Sequence, residues 1–91
     1  MDRVTKSDLR AYVGFLNDRV KDLGFDNVTF DLDVAYGGYR LVQMCESGGE
    51  RDISYRLTAR ELYYVLTASE KILSELAYEK RHKENENGKE N

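Results

Sequence analysis

The stretch Asn27–Arg56, NVTFDLDVAYGGYRLVQMCESGGERDISYR, decides the fold. Val28, Phe30, Leu32 and Val34 alternate with Thr29, Asp31 and Asp33. A period of two places alternate side chains on opposite faces of a strand, here one apolar and one polar. The alternation stops at Ala35-Tyr36-Gly37-Gly38-Tyr39, where glycine supplies the positive φ that a tight reversal needs. A second strand, Arg40 to Cys45, leads to a second glycine turn at Ser47-Gly48-Gly49-Glu50, and a third strand follows over about Arg51 to Arg56. Strands joined by short turns predict a three-stranded antiparallel meander.

Register follows from which side chains share a face. A two-residue Gly48-Gly49 turn sets Met44 opposite Ile53 and Val42 opposite Tyr55. Phe30 and Leu32 join that face only if the first turn holds an odd number of residues. A bulged Tyr36-Gly37-Gly38 turn meets this condition, pairing Phe30 with Met44 and Leu32 with Val42. A plain Gly37-Gly38 turn instead pairs Val34 with Leu41 and turns Val42 away. The bulged register is the expectation because it collects more apolar groups. It leaves Asp31, Asp33, Gln43, Asp52 and Ser54 on the other face, with Cys45 and Leu41.

Working outward, both flanks read as helices. Leu9, Tyr12, Val13, Leu16, Val20 and Leu23 recur at spacings of three and four, Thr5 and Asp8 form a capping box, with Ser7 as the rival cap, and Gly24 is the stop. Gly14, costly inside a helix, suggests close packing, and Phe15 and Phe25 are expected to extend the core. After the third strand, Thr58-Ala59-Arg60-Glu61 is a full capping box with Leu57 and Leu62 as its hydrophobic staple. Leu62, Val65, Leu66, Ser69, Ile72, Leu73 and Leu76 form the inward stripe of this second helix. Residues 82–91 hold no apolar side chain and are expected to form a disordered polar tail, leaving 1–81 as one domain. Two amphipathic helices and one apolar sheet face predict an α+β fold of order α-β-β-β-α, with both helices on one face of the meander.

The chain has 91 residues, 41% hydrophobic and 34% charged, with a formal net charge of −3. That size suits one domain with a modest core. No apolar run has the length of a membrane span, and the N-terminus does not read as a signal peptide. The single cysteine, Cys45, rules out an internal disulfide and suits a reducing cytoplasm.

Chemistry is sparse. Cys45, Ser47 and Ser54 have no structured histidine to activate them, because the one histidine, His82, falls in the expected tail. Asp31, Asp33 and Asp52 on a flat sheet do not follow a calcium-loop spacing, and one cysteine with one histidine makes no zinc site. Neither glycine pair opens a helix followed by lysine, so neither is a phosphate-binding loop. The reading is a non-enzymatic protein without metal or cofactor. Arg40, Arg51, Arg56 and Arg60 offer phosphate contacts on a topology shared with double-stranded-RNA-binding domains, but the acidic balance disfavours nucleic acid. Seven tyrosines are the stronger signal. Exposed tyrosine beside arginine suits a protein-binding hot spot, here Tyr36, Tyr39 and Arg40 at the first turn with Arg51 near the second. Self-association through the open sheet face or an edge strand is a further expectation.

Ala35-Tyr36-Gly37-Gly38-Tyr39-Arg40-Leu41, then Gly48-Gly49 with Arg51-Asp52, then Thr58-Ala59-Arg60-Glu61-Leu62-Tyr63 resemble the ordered motifs of small uncharacterised bacteriophage and prophage proteins. The resemblance spans roughly residues 35 to 65 and implies a phage or mobile-element accessory protein acting in the bacterial cytoplasm; small size, acidic balance, the absent catalytic constellation and the surplus of tyrosine add the expectation that it docks on a host or phage protein. It transfers no catalytic residue.

Overall fold

The computed structural model describes residues 3–89, and side chains through residue 85. Its order is α1 (Lys6–Asp22), β1 (Thr29–Ala35), β2 (Gly38–Met44), β3 (Glu50–Asp52) and α2 (Ala59–Lys89), with the strands in the order β1-β2-β3. Both pairings are antiparallel. This is the expected α-β-β-β-α arrangement.

Local chemistry starts each helix. Thr5 Oγ1 accepts from Asp8 N–H at 3.2 Å while the Asp8 carboxylate accepts from Thr5 N–H at 2.9 Å. Thr58 and Glu61 repeat the device at 3.2 and 3.0 Å. Each box satisfies two backbone donors that the helix geometry leaves unpaired. Gly24, at φ 95°, follows the last turn of α1.

Leu9, Val13 and Leu16 of α1 and Leu62 and Leu66 of α2 close on Leu32 and Leu41, with Phe30, Tyr39 and Leu57 around them. Both helices therefore cover the same sheet face. Asn17 adds a polar seam to this packing. Its side-chain amide donates to Phe30 O at 3.0 Å and its carbonyl accepts from Phe30 N–H at 2.8 Å. That two-point contact occupies outward-facing backbone groups of β1, an edge strand.

The register differs from both alternatives read from the sequence. Leu32 pairs with Leu41, Asp33 with Arg40 and Phe30 with Gln43, and Tyr36-Gly37 is a two-residue turn. This slip sets leucine against leucine on the helix side and opposite charges together on the other, a gain on both faces at once. It also exchanges the expected places of Leu41 and Val42. Leu41 is core, while Val42, opposite Asp31 and Asp52, lies on the open face. Gln43 moves to the helix side.

The second hairpin departs further. Met44 pairs with Glu50 and Val42 with Asp52, so the loop holds Cys45–Gly49, tied by Cys45 N–H to Gly49 O at 2.8 Å. β3 ends at Asp52. The chain then bulges, with Ile53 and Ser54 N–H groups both directed at Leu41 O, and rejoins β2 where Leu57 pairs with Tyr39. Ser54 Oγ replaces the missing ladder partner by accepting from Leu41 N–H at 3.0 Å. Ile53 and Tyr55, expected inside, are exposed as a result. Gly38 makes the return to Leu57 feasible. It sits at φ 137°, and a Cβ there would lie 2.5 Å from Leu57 O.

Three further expectations change. Phe15 and Phe25 are exposed rather than core, and Gly14 faces open space. Of the expected inward stripe of α2, Val65, Ile72 and Leu76 are exposed, while Ala77 is buried. The helix also runs on to Lys89, where the sequence suggested a tail from residue 82; residues 90 and 91 lie outside the described residues. Two contacts between residues four apart tie its start to the preceding turn, a Lys80–Glu84 ion pair at 2.9 Å and a Tyr78–His82 ring stack.

Candidate protein-binding face

The sheet face away from the helices is polar, and its centre is a carboxylate held by two guanidiniums. Asp33 Oδ2 accepts from Arg40 Nη2 and from Arg56 Nη2, both at 2.7 Å. Arg40 reaches on to Asp52 at 2.8 Å and Glu50 at 3.9 Å. Register places the cluster: Asp33 and Arg40 are cross-strand partners, and Glu50 and Asp52 enter from β3. Arg56 comes from the bulge and also donates to Gly38 O at 3.3 Å. The Arg56 hydrogen bond, with Arg40 beside it, holds the Asp33 carboxyl below the usual aspartate range. Arg40 Nε is buried without a hydrogen-bond partner among the described residues.

Two tyrosines and a cleft adjoin this cluster in the chain. Tyr36 is fully exposed at the tip of the first hairpin, and Tyr55 stands out from the bulge. A shallow cleft of about 280 Å³ is lined by Asp52, Ile53, Ser54 and Tyr55.

The four residues read from the sequence as a protein-binding set do not form one patch. Tyr36 is free in solvent and Arg40 belongs to the open face. Tyr39 pairs with Val34 and packs on the core at the opposite face. Arg51 is exposed and pairs with Gln43, on the helix side by register. The arginine set is divided in the same way. Arg40 and Arg56 are committed to Asp33, whereas Arg60 lies at the start of α2 beside Val4, Tyr63 and Tyr64. Packing there raises the Tyr63 phenol above its ordinary pKa through burial, with Tyr12 as a hydrogen-bonding neighbour.

Asp33, Ile53 and Tyr55 stand outside both sets read from the sequence, and Arg56 stands only in the arginine set offered for phosphate. Strict alternation already put Asp33 on the polar face. The bulge that delivers Arg56, Ile53 and Tyr55 has no signal beyond the isolated Ser54.

No group of histidine, cysteine and acidic side chains among the described residues is arranged to hold a metal, and no helix there is long and apolar enough to cross a membrane. Comparison with protein-family models, curated proteins and solved structures gives no match.

Proposed function

We propose that the chain is a non-enzymatic binding module, a phage or prophage accessory protein of the bacterial cytoplasm that docks on a host or phage protein. The contact surface is the open sheet face with its two neighbouring tyrosines. The observation that carries this reading is the Arg40–Asp33–Arg56 cluster on a face that neither helix covers. Its side chains are already ordered by one another, so a partner meets fixed donors and acceptors and little rotamer freedom is lost on docking. Tyr36 and Tyr55 add large amphipathic groups with few rotatable bonds, the type enriched in binding hot spots.

The same geometry argues against phosphate as the ligand. Asp31, Asp33, Glu50 and Asp52 outnumber Arg40 and Arg56 on this face, and a phosphate would have to displace Asp33 from both guanidiniums. Counterion release, the main source of nucleic-acid affinity, has no cationic surface here to act through.

The test is capture from bacterial lysate with a tagged chain, with and without nuclease. A stoichiometric protein that survives nuclease is expected, and Tyr36→Ala with Tyr55→Ala should weaken its capture at least about tenfold, with far-UV circular dichroism unchanged. Capture that disappears with nuclease, or that ignores both substitutions, overturns the reading.

A further inference from the structure

α2 carries two apolar lines where a helix of one small domain needs one. Leu62, Leu66 and Ala77 are buried against the body. Beside them, Val65, Ala68, Ile72 and Leu76 follow at spacings of three, four and four and face solvent, with Ile72 61% and Leu76 52% exposed. At 100° per residue, this line and the charged residues Glu61, Glu79 and Lys83 that continue it fall within a strip about 80° wide. The helix is about 46 Å long by its 31 residues, and residues 78–85 are all exposed beyond the core. Apolar side chains that recur on one exposed strip of a long helix have the arrangement by which two helices pair.

We propose that this strip pairs with α2 of a second copy of the chain, antiparallel, about a two-fold axis near Ile72. The order of charges selects both the occupant and the direction. With the axis at Ile72, Glu61 of each copy comes level with Lys83 of the other, giving two opposite-charge pairs at the ends of the seam. A parallel pair would stack Lys83 on Lys83 and Glu79 on Glu79, which is repulsive at both steps. Shape agrees with charge. Leu76, Glu79, Lys80, His82 and Lys83 line a groove on the distal half of α2. Among them Leu76, Glu79, Lys80 and Lys83 have the spacing of the four-residue hole that receives a side chain from a facing helix. The same axis brings Val65 of the second copy to that hole and sets each Ala68 level with Leu76 of the other copy, small against large. The pairing leaves the open sheet face exposed, so it does not depend on the docking reading above.

Sedimentation velocity on the full chain tests the proposal. A dimer is expected in the micromolar range, and Ile72→Glu should raise its dissociation constant at least about tenfold, because each copy then presents a charge to the centre of the seam. Leu76→Glu should act likewise. Both positions are exposed in the single chain, so circular dichroism and the melting midpoint of the monomer should hold. A wild-type chain that stays monomeric, or an Ile72→Glu chain that stays dimeric, overturns the proposal. Direction is read by oxidation of Cys45→Ser chains. Ile72→Cys should form a disulfide dimer and Lys83→Cys should not, and a Lys83→Cys dimer would overturn antiparallel pairing.

Discussion

The two faces of the sheet are made by alternate residues of the same strands, yet they are held together differently. On the helix side, Leu32 and Leu41 are buried by Leu9, Val13 and Leu16 of α1 and by Leu62 and Leu66 of α2. On the open side, Asp33 and Arg40, one residue along from that pair, meet Arg56 and Asp52 in an ion cluster still in contact with water. Burial stabilises the first face in proportion to apolar area and with little regard to direction. The second depends on geometry and charge, and its stabilisation is reduced by solvent screening. Val42 is the exception that joins them. It belongs by register to the open face, yet is only 1% exposed, so neighbouring side chains close over it.

Truncation at the helix side should produce the largest effect. Leu66→Ala, at a fully buried site, is expected to destabilise the fold by about 3 to 4 kcal/mol in urea unfolding. A loss below about 1 kcal/mol would show that the helices do not depend on this contact. Val42→Ala should cost about 2 kcal/mol, an apolar core penalty on a polar face. A negligible change would mean that Val42 is not enclosed as its exposure indicates.

Asp33→Asn should have the smallest effect on stability at neutral pH, and its mark is in the pH profile. The Asp33 carboxyl is held below its ordinary value by Arg56 and Arg40, so its contribution is complete above the unfolded-state pKa and is lost as pH falls through the folded one. Melting midpoints of the wild type should therefore fall more steeply than those of Asp33→Asn below about pH 4. Parallel profiles for the two chains would mean that the cluster does not hold the fold together.

Particular elements show how much of this could be read in advance. The two capping boxes were legible because they are local: four consecutive residues contain both donors and acceptors. The meander was legible from a period of two and two glycine turns. Register was not, since it depended on a pairing energy summed over both faces. Counting apolar residues favoured Val42 inside, but the Asp33–Arg40 pair and the Leu32–Leu41 contact together favour the observed slip. The expected docking residues are spread over two faces for a related reason. Tyr39 and Arg40 are adjacent in the chain, and adjacency in a strand puts them on opposite faces.

The amino-acid sequence by itself determined the order of elements, the starts of both helices and the separation of apolar from polar residues, because backbone capping and side-chain periodicity act within a few residues. Tertiary structure alone decided the register, the bulge from Ile53 to Arg56 and the part of α2 that stays uncovered. Each of these is a competition between distant groups. Leu57 returns to Tyr39 only because Gly38 leaves room for its carbonyl, and Ile72 is exposed because α2 docks by the face that carries Leu62, Leu66 and Ala77.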